Sequence, residues 1–490
     1  MDPMTFKVMI FIILMTVICM LYAIYIRYKN KNKEKKANDV SELSLTSIKS
    51  NIYISSKEDI FTSINLARLN ETSIGICGAK HSMGGHSIAE DGYRLDMNKY
   101  NKIIYHDVLN NEITVEPGIK WCELIKYLND FGESPATLQS YSTFSVGGTI
   151  SVNAHGITND NVIGESIRSL KVIISNGKEI YCDRETQSDL FSLVIGGYGL
   201  FGVISEVTLQ TVKNVNLEVK KYDLDVRTFR EVYEKVLEDG DVNVKLARIN
   251  LGDVNNIQLY TFSNKNKKNK ISNLSKHPNE MSKTTQFMYK WMLPMRCFHS
   301  LKFFIESKMS LPMDMSHENV DRNQLLYESA EPLAKLYNVL IDLNKTHILQ
   351  EYFIPKHNFE KWMLYLKYFI NKITVSKISL LNITIRYIKK DTVSYLKYAK
   401  EDYYAFVFYY RMDKSDKYDK ELKNMHMNLV NEVIKLGGTF YLPYRHHYTK
   451  NQLITCYPEI INFIKQKKHI DKNNMFSNVW FDYICKLVEN

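Results

Sequence analysis

Lys80 and His81 sit inside a glycine-rich turn, Gly78-Ala-Lys-His-Ser-Met-Gly-Gly-His86, bounded by short apolar strand signals at Ile76 and at Tyr93-Arg94-Leu95. Glycines let backbone amides approach an anion closely, and successive free N–H groups in such a turn form an anion-binding nest. The lysine adds a cation to that nest. A neutral imidazole adds a nucleophile. The spacing matches neither GxGxxG nor GxxxxGK[ST], so the common dinucleotide and nucleotide-phosphate loops are not indicated.

Further glycine-bearing blocks follow in order. Glu116-Pro-Gly118 comes after a strand signal over Glu112–Val115 and before an amphipathic helix signal over Lys120–Asp130. Ser145-Val-Gly-Gly-Thr-Ile-Ser-Val-Asn-Ala-His-Gly156 and Gly196-Gly-Tyr-Gly-Leu-Phe-Gly-Val-Ile-Ser-Glu206 come next. Gly437 to Tyr448 and Met475 to Trp480 lie near the end of the chain. This ordered set, spanning Thr46 to Tyr483, resembles the flavoenzyme superfamily of vanillyl-alcohol oxidase and p-cresol methylhydroxylase, with features of its sugar-lactone and alditol oxidases and its cytokinin dehydrogenases.

The resemblance implies an α+β fold: a two-subdomain FAD-binding domain and a substrate, or cap, domain built on an antiparallel sheet. It implies FAD contacts at Gly78, Ala79, Lys80, Ser82, Met83 and Gly85 around the pyrophosphate. Ser142, Gly147, Gly148 and Ser151 would touch the ribityl chain or ring, Val203 and Ile204 the adenine side, and Asn478 the region near the ring. His81 matches the residue that joins the flavin 8α-methyl group covalently, with His86 as a rival by proximity. Gln139 to Val146 contains no cysteine, so a second covalent link is not expected.

Three stretches are expected on the substrate side. Gln350-Glu-Tyr-Phe353 reads as a half-buried strand. Asn382-Ile-Thr-Ile-Arg386 reads as another, with Asn382, Thr384 and Arg386 on one face by period-two spacing. Tyr441 to Tyr448 is expected as a third. An arginine on an otherwise uncharged strand needs a partner, and Glu351 is the expected one. Either His447 or His446, or else a Tyr444 tyrosinate, is expected to accept the substrate proton. His155 reads as a structural histidine. The catalytic set is therefore Arg386, Glu351, His447 and Tyr444.

Composition bounds the rest. The 490 residues exceed one simple core. Seven cysteines without CxxC or zinc spacing argue against a disulfide framework and a metal site. The net charge of +10 includes +5 from the first 36 residues, where seven Lys or Arg face two acids. No basic stripe with interleaved aromatics remains to suggest nucleic-acid binding. Val8–Ile26 is largely apolar and uncharged, long enough to span a bilayer as a helix, and is followed by a basic run from Arg27 to Lys36. That flank places the following chain in the cytoplasm.

The expected organisation is an anchor over residues 1–26, a basic linker over 27–45, an FAD domain over 46–213, a cap domain over 214–435 and a C-terminal return over 436–490. Ser263–Lys283 is expected as a surface loop and the aromatic cluster in Tyr289–Ser310 as a core helix, with a lid over the site or a second membrane contact as the alternative. The expected activity is oxidation of a CH–OH group in a small polar substrate, with oxygen, a quinone or a protein as electron acceptor. Amine oxidation, reduction of a lipid double bond and a non-catalytic membrane-tethered binding role are the alternatives.

Overall fold

The computed structural model describes residues 35–265, 320–328, 344–373 and 378–489, with Met15, Met20, Leu274, Ser300, Leu301 and Phe303. The expected membrane segment lies outside these residues except for Met15 and Met20. The loop over 263–283 and the cluster over 289–310 lie mostly outside them. Among the described residues no helix is long and apolar enough to cross a membrane.

β1 (Ser50–Tyr53), β2 (Ile74–Cys77) and β3 (Tyr93–Asp96) form a small parallel sheet with β3 in the centre. The connection from β1 to β2 is α1 (Lys57–Leu69), started by a reciprocal cap between Ser56 and Asp59. Its Ile60, Ile64 and Ala67 are buried against the sheet, as helical spacing requires.

An antiparallel sheet follows. Its strands are β4 (Ile103–Asp107), β5 (Glu112–Val115), β6 (Glu133–Pro135), β7 (Ile167–Ile173), β8 (Glu179–Asp183) and β9 (Val203–Lys213). Their order is β8-β7-β9-β5-β4, and β6 pairs with the far end of β9. Against this sheet lie α2 (Trp121–Asn129) and the short α3 (Val146–Ser151). The buried Trp121 Nε1 donates to Thr149 Oγ1 at 2.9 Å, tying the two helices together.

The third sheet is antiparallel and eight-stranded. It comprises β10 (Asn216–Asp225), β11 (Val242–Ile249), β12 (Asn256–Asn264), β13 (Val320–Asp321), β14 (Lys345–Pro355), β15 (Ile378–Ile388), β16 (Tyr403–Asp413) and β17 (Thr439–Phe440). The order is β13-β10-β12-β11-β15-β16-β14-β17. Behind it pack α4 (Val226–Glu238), α5 (Phe359–Lys372) and α6 (Asp416–Lys435). The rear face is aromatic: Tyr352, Tyr404, Phe406 and Phe408 meet Phe229, Trp362, Phe369 and His426. Register fixes the front face, because residues paired across strands share a side. Glu351 pairs with Val407, Val407 with Thr384, and Thr384 with Arg248, so these four form one row on the front face, toward the first two sheets.

Three expectations change. The Gln350–Phe353 stretch is buried on both faces, not half-buried, because helices cover its rear and the first two sheets cover its front. Only Thr439–Phe440 of the C-terminal block is a strand; Tyr441–Tyr448 is a loop. Pro443 has no N–H to give a ladder, and its carbonyl instead accepts from Met83 N at 2.9 Å. The stretch read as a linker is packed. Ala37, Asp39 and Ser41 are buried, and Asp39 Oδ2 accepts from Gly85 N at 3.0 Å.

Candidate active site

A cavity of about 310 Å³ lies between α3, the glycine-rich turn and the front of the eight-stranded sheet. One wall is the turn. Gly78 is pressed so closely against the start of α3 that an added Cβ would lie 2.2 Å from Ser145 Oγ. Gly147 meets Pro117 in the same way, at 2.6 Å. Side chains at these positions would fill the cradle. Lys80 takes a left-handed backbone, φ 65°, and pairs with Asp96 at 3.0 Å. Burial pushes the Asp96 carboxyl up, but the Lys80 and Asn98 hydrogen bonds outweigh it and hold Asp96 below its ordinary value.

The His81 ring stacks on Phe144, with centroids 4.1 Å apart. Burial, helped by the Lys120 cation, pushes His81 down to about 4. The imidazole is therefore neutral at pH 7, the state a nucleophilic nitrogen needs. His86 also lines the cavity, and its buried ring stacks against Trp480.

Gly78, Ala79, Lys80, His81, Ser82, Gly147, Gly148, Ser151, Val203 and Ile204 all line this cavity. Four sequence-selected residues do not. Met83 packs beneath β14, its sulfur receiving Leu349 N at 3.3 Å. Gly85 meets Val479 and the Asp39 carboxylate. Ser142 Oγ donates to Tyr327 O, and Asn478 Nδ2 donates to the carbonyl of the lining residue Tyr198. All four support the wall from behind.

The opposite wall carries Glu351, Asn382, Thr384, Arg386 and Tyr444. Glu351 is the one carboxylate among the described lining residues. It is not bonded directly to Arg386, as the sequence suggested. Its Oε2 meets His155 Nε2 at 2.8 Å, and its Oε1 accepts from Tyr444 OH at 2.8 Å. Arg386 donates from Nη2 to Ser140 Oγ and acts on Glu351 through its charge. Burial pushes the Glu351 carboxyl up, but His155, Arg386 and Tyr444 together hold it below its ordinary value. Burial and the Glu351 charge push the Tyr444 phenol well up. It is a hydroxyl donor to the carboxylate, not a tyrosinate.

His447 lies elsewhere. It is buried with its Nδ1 2.8 Å from His426 Nδ1 and its Nε2 3.1 Å from Asp419 Oδ1, and it does not line the cavity. Arg445 also grips Asp419, and His446 meets the Gly84 carbonyl. Neither adjacent histidine reaches the cavity, because β17 ends before them and the loop turns both into the protein. Sequence reading missed Ser140, Arg248, Tyr260 and Tyr409. Arg248 was within reach, since period two along the β11 signal puts it on the same face as Leu246. Among the described residues no group of three or more His, Cys, Asp or Glu could hold a metal ion.

Residues 50–183 match the family described as FAD binding domain. Over 168 residues, 34% of this chain and 38% of the relative, it is 29% identical to an oxidoreductase of the fasciation locus of Rhodococcoides fascians. It is 22% identical to the L-gulonolactone oxidase of Bos taurus over 88% of this chain and 93% of that protein. It is 29% identical to the mitochondrial L-galactono-1,4-lactone dehydrogenase of Arabidopsis thaliana over 33% of this chain and 26% of that one. The chain thus covers well under two thirds of the first and third relatives and nearly all of the second.

Proposed function

We propose that this chain, an FAD-dependent oxidoreductase of the vanillyl-alcohol oxidase and p-cresol methylhydroxylase superfamily, oxidises a CH–OH group of a small polar substrate of the sugar-lactone or alditol kind. The observation that carries the reading is Glu351: a buried ionised carboxylate on the cavity wall, with Arg386 nearby. The close-packed Gly78 and Gly147, the Lys80 cation and the neutral His81 fit a flavin and its pyrophosphate. When bound, the flavin supplies the acceptor for the substrate's hydride.

This chain's own residues do the rest. Glu351 takes the hydroxyl proton, and Tyr444 holds the carboxylate in place by donating to it. Arg386 offers a cation to the oxygen that becomes a carbonyl, and Ser140 fixes the guanidinium. Asn382 and Thr384 offer further hydroxyl-binding groups on the same face. Oxygen, a quinone or a protein then takes the electrons.

His81 is the proposed attachment point for the flavin. Acid precipitation of the purified protein is expected to leave the yellow colour in the pellet. The His81→Ala protein is expected to release all of it to the supernatant while still binding FAD. Colour in the wild-type supernatant would make His81 a contact only. Anaerobic mixing with L-gulono-1,4-lactone and with alditols tests the substrate class. Bleaching by primary amines, with none by either alcohol class, would overturn the CH–OH reading.

The apolar run Val8–Ile26 is proposed as a single membrane anchor, with the catalytic body on the cytoplasmic side of Arg27–Lys36. The packed strap after it sets where a soluble form can begin. A chain starting at Lys35 is expected to be soluble and yellow. One starting at Ser50 loses the Asp39 carboxylate from Gly85 N and is expected to retain much less flavin, measured as the ratio of flavin to protein absorbance.

A further inference from the structure

His155 sits in Asn153-Ala-His-Gly156, just past α3, and belongs to the flavin half of the cavity, whereas Glu351 belongs to β14 of the cap sheet. Its backbone is held on both sides. Ala154 N donates to Thr149 O, Gly156 N donates to Asn161 O, and Ile163 N returns to Ala154 O. The ring is walled by Phe353, Tyr398 and Tyr441 at centroid distances of 6.1, 6.4 and 6.1 Å. It is 3% exposed. Nε2 reaches Glu351 Oε2 at 2.8 Å, while the buried Nδ1 has no hydrogen-bond partner.

For the neutral imidazole this arrangement selects a tautomer. With Nε2 protonated, the N–H donates to the carboxylate and only a lone pair faces the aromatic wall. The opposite tautomer would bury an unsatisfied donor and set a lone pair against an anion. A carboxylate given a fixed N–H donor stays ionised at lower pH than burial alone would allow.

We propose that His155 is a positioning residue that keeps Glu351 ionised and aimed into the cavity, so that the flavin half of the molecule sets the protonation state of a base carried by the cap. The proposal rests on Glu351 as the proton acceptor. The groups facing Glu351 are His155 from the α3 loop, Arg386 from β15, Tyr398 from the β15–β16 connection, and Tyr441 and Tyr444 from the loop after β17. The tyrosines are held as neutral phenols by burial; of them Tyr444 donates a hydrogen bond to the carboxylate, and His155 and Arg386 supply the rest of the hold on its charge.

The sign follows directly. With His155 in place the carboxyl titrates below its ordinary value. Without it that part of the pull against burial is gone, and the carboxyl titrates higher. Infrared difference spectra of the flavin-loaded protein, recorded through a pH series, would follow the protonated-carboxyl band that Glu351→Gln abolishes. In His155→Leu its midpoint is expected to rise by about one pH unit or more. In His155→Gln, whose amide still donates, it is expected to stay close to wild type.

An unchanged midpoint in His155→Leu would overturn the proposal. Histidine nitrogen NMR of the wild-type protein covers the case in which that variant does not fold. A protonated Nε2 is expected, and a bare Nε2 with the proton on Nδ1 would overturn the proposal. Neither measurement needs a substrate, so failure here is distinguishable from failure of the alcohol-oxidation reading.

Discussion

Replacing Glu351 with glutamine is expected to slow flavin reduction by substrate by about 10²–10⁴-fold, while leaving the flavin bound. Glutamine keeps the shape of the side chain and can accept from Tyr444, but it cannot take a proton. The carboxylate's neighbours make the loss specific. Tyr444 is held as a phenol and His447 points to Asp419, so no other lining group is placed to act as an anionic base. Rapid mixing under anaerobic conditions separates the bleaching rate from later reoxidation. A rate within a few-fold of wild type would move the proton elsewhere. Loss of flavin from the variant would show instead that the carboxylate holds the cavity together.

The second large effect concerns stability. Lys245 on β11 reaches Asp160 Oδ2 at 2.9 Å, and both side chains are at most 10% exposed. Burial pushes the Asp160 carboxyl up against the pull of Lys245, so the pair sits close to the limit of what its attraction can offset. Lys245→Met leaves the buried Asp160 without its ion-pair partner and is expected to cost about 3–5 kcal/mol, read from denaturant unfolding. Adding Asp160→Asn is expected to recover most of that loss, because the uncompensated charge disappears. If the single variant loses nothing, solvent reaches the pair and it contributes little. If the double variant recovers nothing, packing, not charge, is what Lys245 supplies.

Legibility in the sequence tracked the range of the interactions involved. α1 and α4 were readable because helical spacing is local. β14 and β15 were readable because period two is local, and it placed Asn382, Thr384 and Arg386 on one face correctly. The glycine-rich turn was readable because close approach demands glycine at particular positions. The failures depend on distant partners. His447 looked catalytic because it stands in a polar cluster, yet its hydrogen bonds go to Asp419 and His426, on a helix whose relation to it no local pattern shows. His155 looked structural because nothing nearby in sequence could reveal Glu351, 196 positions away. Residues 37–45 looked like a linker because their polar side chains are typical of one. In the fold the stretch is tied to other parts of the protein: Asp39 Oδ2 accepts from Gly85 N, and the Ser41 carbonyl accepts from Thr346 Oγ1.

The polar contacts between the flavin half and the cap sheet have a thermodynamic consequence. Lys245 with Asp160, His155 with Glu351, and Asn153 with Asp391 all cross the same seam, and the cavity lies along it. A ligand held at such a seam meets both halves only in the folded protein, so it stabilises by mass action, in proportion to the logarithm of its free concentration over its dissociation constant. A dissociable flavin would therefore make the melting temperature climb with added FAD. A flavin bonded through His81 cannot be diluted away from its site, and the protein would melt at the same temperature whether or not free cofactor surrounds it.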